Sequence, residues 1–122
     1  MAEQTARNLS VVDHWEETYN NAVDRMVDEC YAPNCEVIDM CSGYALTGRD
    51  KLRAFEHKIL KRVPDRKLKV LKKFANGDSV AVEMEGLFGP QTFKACVILT
   101  FNDEGLIISD HTYARMPSEP KK

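Results

Sequence analysis

The chain has 122 residues, of which 43% are hydrophobic and 30% charged, and its formal net charge is −2. Chains usually split into several domains only beyond about 250 residues, so we expect one domain over residues 1–115. This composition excludes collagen-like, low-complexity and wholly disordered chains. The tail 116–122, with two prolines and two terminal lysines, is expected to be disordered.

Membrane and secretion signals are not found in the sequence. No apolar run approaches the ~18 residues that a membrane span needs, and the N-terminus lacks the basic-then-apolar order of a signal peptide. We therefore expect a cytoplasmic protein without a membrane partner. The four cysteines form no CxxC pair and the three histidines are scattered, so we expect free thiols, no metal site and no organic cofactor.

Two helices are predicted in the first half of the chain. From Leu9 to Tyr31 apolar residues recur at intervals of three and four, as in an amphipathic helix, and the pair Asn20-Asn21 is expected to bend it. Residues 35–40 then alternate as a strand does. A second helix is predicted from Gly48 to about Val63, where Pro64 stops it.

The remaining sequence is typical of β structure. Turn signals separate four predicted strands, at residues 66–74, 79–88, 91–101 and 106–115. Short turns between consecutive strands make antiparallel hairpins, and the helices then lie on one face of the sheet. The predicted fold class is α+β.

Three carboxylates fall where the core is expected. Alternate residues of a strand point to the same face, and Asp110 shares its face with Leu106, Ile108, Thr112 and Ala114. By the same rule Asp39 shares a face with Cys35 and Val37. Glu56 borders the apolar stripe of the second helix. We therefore expect three acids to face one interior.

Three segments resemble the ketosteroid isomerase and SnoaL-like cyclase branch of the nuclear transport factor 2-like superfamily. They are YAPNCEVID at 31–39, GRDKLRAF at 48–55 and FNDEGLI at 101–107. The resemblance spans about residues 8–115 and implies a cone, in which a curved, mostly antiparallel sheet wraps around the N-terminal helices and an apolar pocket opens at one end. The scaffold serves isomerases, cyclases, dehydratases, epoxide hydrolases and non-catalytic binding modules, so it specifies no single reaction.

The resemblance also carries residue roles. Asp39 falls on the aspartate that ketosteroid isomerases use as general base, and Tyr31 on a tyrosine of their buried hydrogen-bond network. Asp110 is similar in placement to last-strand acids of SnoaL-like cyclases. Trp15 and Val97 stand where the family has its two oxyanion-hole donors; an indole N–H can donate one hydrogen bond and valine none.

The sequence therefore predicts a cofactor-independent acid–base enzyme acting on a hydrophobic small molecule, as an isomerase, cyclase or dehydratase. Asp39 is the predicted base and Asp110 the acid or second base. The predicted substrate-binding residues are Trp15, Tyr31, Glu56, Met84, Val97, Leu99 and Thr112. The competing hypothesis is a non-catalytic hydrophobic-ligand carrier or dimerisation module of the same fold, and a homodimer through the open sheet is expected with either.

Structural interpretations of the same acids stay open. Asp39 could bond the backbone at the strand end, Asp110 could pair with Arg115 or another surface cation, and Glu56 could be a rim residue or a hydrogen-bond partner of Tyr31 or Trp15. Residues 49–73 hold eleven Lys and Arg against three acids. That stretch is interpreted as a solvated face, and nucleic acid is not expected as a partner because interleaved exposed aromatics are lacking.

Overall fold

The computed structural model describes residues 2–114, so the tail predicted to be disordered lies outside the described residues. Three helices are present: α1 (Ala2–Asn21), α2 (Val23–Cys30) and α3 (Arg49–Arg62). The predicted bend falls at Ala22, whose φ of −158° is not helical. The Asn20 amide fixes this end of α1 to β3, because it donates to the Leu68 carbonyl oxygen and accepts from the Leu68 N–H, both at 2.8 Å. Within residues 2–114 no helix is long and apolar enough to cross a membrane.

Six strands form one curved sheet. They are β1 (Tyr31–Asp39), β2 (Ala45–Thr47), β3 (Lys67–Asn76), β4 (Ser79–Phe88), β5 (Gln91–Phe101) and β6 (Ile107–Ala114). Their order is β2-β1-β6-β5-β4-β3, and all pairs are antiparallel except β1 with β6. The predicted α+β class with a mostly antiparallel sheet is confirmed, whereas β2 was not predicted.

The core lies between the inner face of the sheet and the helices. Val80 and Val82 of β4 and Val97 and Leu99 of β5 are fully buried, and they pack in one cluster with Val12 of α1. In both strands the buried residues alternate along the chain, as expected for a strand with one inner face. All four cysteines are free, as expected.

A register shift changes the start of β6. Thr100 pairs with Ser109, but Phe101 pairs with Ile107, so Ile108 is the extra residue of a bulge. Ile107 is fully buried and Ile108 is 37% exposed. The prediction that Leu106 and Ile108 point inward was therefore wrong for Ile108. After the bulge the alternation is as predicted, and Asp110 faces the interior.

Candidate functional site

The sheet and the helices enclose a cavity of about 290 Å³, near the lower end of the roughly 300–1,000 Å³ of small-molecule sites. Its deep wall is formed by the buried side chains of Trp15, Met26 and Tyr31. Further aromatic side chains line the cavity, and of these Tyr44 is 55% exposed. Most of the lining is apolar. The polar lining groups therefore stand out, and they include Asp39, Glu56, Arg66, Asp110 and Thr112.

Asp110 lies at the centre of a buried hydrogen-bond network. The Tyr31 hydroxyl donates to Asp110 Oδ2 at 2.6 Å, and Thr112 Oγ1 donates to Oδ1 at 2.8 Å. Trp15 Nε1 in turn donates to the Tyr31 hydroxyl oxygen at 3.1 Å. Asp110 is 5% exposed, and no cation pairs with it within residues 2–114. The predicted alternative partner Arg115 lies outside the described residues.

Burial governs the protonation of this network. Burial raises the pKa of Asp110 from its ordinary value, and the hydrogen bonds from Tyr31 and Thr112 oppose that rise. Burial, together with the nearby Asp110 charge, raises the pKa of Tyr31 well above its usual range. Tyr31 therefore remains a protonated donor, and Asp110 holds a proton to higher pH than a surface acid does.

Asp39 lies at the C-terminal end of β1 and lines the same cavity, near its mouth. It is half-buried, and its Oδ1 accepts from the N–H groups of Cys41 at 3.0 Å and Ser42 at 3.3 Å. The backbone bonding foreseen as an alternative is thus present, yet Oδ2 has no hydrogen-bond partner within residues 2–114.

The two aspartates are neighbours on the sheet. Asp39 pairs with Thr112, and Asp110 is two residues before Thr112 on the same face. Strand spacing and rise then separate the two Cα atoms by about 8 Å. The structure thus brings both predicted acids to one cavity, with Thr112 between them.

Glu56 forms a buried ion pair that was not predicted. Arg66 Nη2 lies 2.5 Å from Glu56 Oε1, and the two side chains are 2% and 10% exposed. The partners predicted for Glu56, Tyr31 and Trp15, were wrong. Burial raises the pKa of Glu56, and the Arg66 charge opposes that rise. Arg66 also stacks over the Tyr19 ring, with its guanidinium carbon 4.0 Å from the ring centre.

Arg66 was missed because it was counted with the solvated cations of the basic stretch. A usable signal was present, since Arg66 alternates with Leu68 and Val70, the inward residues of β3. A charged residue in phase with inward apolar ones is the pattern that also identified Asp110.

The other predicted binding residues divide into two groups. Trp15, Tyr31, Met84 and Thr112 line the cavity. Val97 and Leu99 do not; they are fully buried in the core cluster with Val12. Val97 and Leu99 lie away from the cavity because of their position along β5. The cavity is at the end of this strand that holds Phe93, and the core covered by α1 is at the other end.

A curved, unclosed sheet over N-terminal helices, with acids inside an apolar cavity, is the nuclear transport factor 2-like fold. Residues 11–109 match the SnoaL-like domain family, and the chain belongs to that family. The resemblance seen in the sequence is thereby confirmed. No curated protein matches the chain.

Solved structures agree on the fold. A provisionally named ketosteroid isomerase from Kribbella flavida has a TM-score of 0.80 at 21% identity, covering 97% of this chain and 84% of that one. A provisionally named SnoaL-like polyketide cyclase from Jannaschia has a TM-score of 0.78 at 17% identity, covering 90% of this chain and 86% of that one. A SnoaL-like protein of unknown function from Burkholderia thailandensis has a TM-score of 0.79 at 18% identity, covering 91% of this chain and 96% of that one. At these identities the likeness establishes the fold alone.

Proposed function

We propose that the chain is a cofactor-independent acid–base enzyme that moves a proton on a hydrophobic carbonyl compound held in the cavity. Isomerisation, cyclisation and dehydration all begin with such a transfer. The observation that carries the proposal is Asp110, a buried carboxyl without a cation partner in residues 2–114, fixed by two hydroxyl groups in a mostly apolar cavity. Burying such a group is costly, which favours a role in chemistry over one in stability.

Asp39 is the proposed base. Its Oδ1 is fixed by two backbone N–H groups, and Oδ2 remains available to take a proton from the carbon next to the carbonyl. As that C–H bond breaks, its electron pair forms a C=C bond and the carbonyl π pair moves to oxygen, giving an enolate. Isomerisation returns the proton to a different carbon, and cyclisation uses the enolate carbon as nucleophile.

Asp110 is the proposed acid or second base. Burial raises its pKa, so Asp110 keeps a proton to higher pH than an exposed carboxyl does and can donate that proton to the substrate. Thr112 and Tyr31 fix the orientation of its two oxygens. General acid–base catalysis of this kind contributes about 10²–10⁴-fold in rate.

A non-catalytic hydrophobic-ligand carrier is the second candidate. It is favoured by one observation: both Asp110 oxygens already accept hydrogen bonds from the protein, which could satisfy the carboxyl without any substrate. A carrier binds the same ligands but leaves their carbon-bound protons in place.

Hydrogen–deuterium exchange separates the two candidates. The probe is 2-tetralone, a bicyclic ketone with acidic protons next to its carbonyl, incubated in D₂O and followed by NMR. Binding is measured separately through the fluorescence of Trp15, the one tryptophan of the chain, which lines the cavity. We expect the wild type to accelerate exchange, and Asp39→Asn and Asp110→Asn to lose about 100-fold or more.

The matched control is Asp103→Asn, which changes an exposed aspartate in the turn before β6 and should exchange at the wild-type rate. Circular dichroism verifies that each variant is folded. Binding of 2-tetralone by the wild type without exchange would establish the carrier. Exchange that persists in both Asp39→Asn and Asp110→Asn would remove the two carboxyls from the reaction.

A further inference from the structure

Arg66 is a buried cation with an unused hydrogen-bond donor. Its Nε atom is buried and has no hydrogen-bond partner within residues 2–114, while its Nη2 atom contacts Glu56 Oε1 at 2.5 Å. The guanidinium meets Glu56 in an ion contact and Tyr19 through its face. Leaving a buried donor unsatisfied costs free energy, and more for a charged group. This arrangement is therefore expected to be completed by an acceptor oxygen that enters the cavity.

The position of Arg66 is fixed, and it borders the same cavity as the two aspartates. The Tyr19 ring holds one face of the guanidinium at 4.0 Å, and the Glu56 carboxylate holds one edge. Burial raises the pKa of Tyr19 to about 12, so its ring is neutral at physiological pH and attracts the cation through its π face. A planar, preorganised guanidinium loses little entropy when it binds an oxygen.

The proposed reaction needs such a donor, because negative charge develops on the carbonyl oxygen. The other donors of the network are already engaged: the Tyr31 hydroxyl and Thr112 Oγ1 both donate to Asp110, and Trp15 Nε1 donates to Tyr31. Val97 has no polar side-chain atom and lies off the cavity. Arg66 is the buried cation among the residues described, and it has a free N–H donor at the cavity.

We propose that Arg66 is a catalytic residue that binds the carbonyl oxygen of the substrate and stabilises the enolate oxygen formed from it. This inference rests on the proposed function and names its substrate class, a neutral hydrophobic ketone or ester. A carboxylic acid fits poorly, because Glu56 already balances the charge of Arg66 and the cavity holds two further acids. Like charges in a water-poor site repel strongly.

The chemical step balances without an added reagent. The carboxylate of Asp39 gains the proton that the substrate carbon loses, and the electron pair ends on the oxygen bonded by the Arg66 N–H groups. In D₂O the carboxyl exchanges its proton for a deuteron with solvent. Return of that deuteron to carbon restores the ketone and the carboxylate.

The first measurement is kcat and KM for 2-tetralone exchange. Arg66→Met alone leaves Glu56 buried and unpaired, so the paired variant Glu56→Gln/Arg66→Met is compared with Glu56→Gln. We expect the loss of Arg66 to lower kcat about 10²–10³-fold, as removal of an oxyanion donor does. The variant Arg66→Lys should retain part of the kcat that is lost when Arg66 is replaced by methionine. The control Arg62→Met, at an exposed cation of α3, should leave kcat unchanged.

The second measurement is binding of three matched bicyclic ligands, followed by Trp15 fluorescence. 2-Naphthol is a neutral phenol at physiological pH and offers one oxygen in place of the carbonyl oxygen, naphthalene lacks the oxygen, and 2-naphthoate carries a charged carboxylate. We expect the wild type to bind 2-naphthol at least tenfold more tightly than naphthalene, and 2-naphthoate no more tightly than naphthalene. Glu56→Gln/Arg66→Met should bind 2-naphthol and naphthalene equally.

The two proposals fail in different ways. If Glu56→Gln/Arg66→Met keeps the kcat of Glu56→Gln and still prefers 2-naphthol, the inference about Arg66 is overturned while the proposed function stands. If the wild type prefers 2-naphthol through Arg66 yet exchanges no proton of 2-tetralone, the oxygen site stands and the enzymatic function fails.

Discussion

Replacing Tyr31 by phenylalanine tests the buried network directly. The change removes the hydroxyl that donates to Asp110 at 2.6 Å and accepts from Trp15 at 3.1 Å. A hydrogen bond to a charged group contributes about 1.5–3 kcal/mol, and an unsatisfied buried indole N–H costs about 1–3 kcal/mol. Because both losses occur at one site that can partly relax, we expect the free energy of unfolding to fall by about 3 kcal/mol at pH 7.

The effect of Tyr31→Phe should depend on pH. The Tyr31 hydrogen bond lowers the Asp110 pKa against the larger rise caused by burial, so its removal raises that pKa further. A carboxyl whose pKa is raised in the folded state stabilises the fold fully below its unfolded-state pKa of about 3.9. This stabilisation is lost as the pH rises through its folded-state pKa. The destabilisation should therefore be smaller near pH 3.5 than at pH 7.

The assay is urea unfolding followed by Trp15 fluorescence at both pH values. The matched control is Tyr113→Phe, which removes the hydroxyl of a tyrosine that is 46% exposed and should change stability by less than about 0.5 kcal/mol. Equal stabilities of the two variants at pH 7, or a Tyr31→Phe effect that is larger in acid, would refute this account of the network.

Three further outcomes are expected. Gly86→Ala should destabilise the fold by about 1–3 kcal/mol in thermal unfolding, because the new Cβ would overlap the Phe93 ring; an unchanged Tm would contradict that contact. Since burial raises the Asp110 pKa, the Tm of the wild type should fall relative to Asp110→Asn as pH rises from about 4 to 7, and a constant difference would argue against a buried ionisable carboxyl. The predicted homodimer should elute as two chains in light-scattering chromatography, and Phe74→Glu, at a 65% exposed residue of the outer sheet face, should convert it to monomers; a monomeric wild type would contradict the prediction.

Strand alternation predicted much of the fold. The bounds of β4 and β5 and their inner faces match the sequence pattern, because long strands with one buried face leave only one workable register. The bulge before Asp110 was not predictable in this way, since an extra residue reverses the alternation without a change in residue type. The three-residue strand β2 is too short to show a period at all.

The acids of the site were predictable from the sequence, whereas its cation was not. Asp39 and Asp110 were found because an acid in phase with apolar residues is unusual, and both line the cavity. Arg66 shows the same anomaly, but ten other cations surround it in residues 49–73 and conceal it. The contact between Arg66 and Glu56 joins the residue before β3 to α3, and no local sequence pattern predicts such a pairing.

The parallel pairing of β1 with β6 has a consequence for biosynthesis. It joins residues 31–39 to residues 107–112, so the first-made strand lacks this neighbour until residues 107–112 have left the ribosome. Contacts of such long sequence separation slow folding, to milliseconds or seconds in sheet-rich domains. During translation the edge of β1 is open, and the chain is most prone to aggregate at that time.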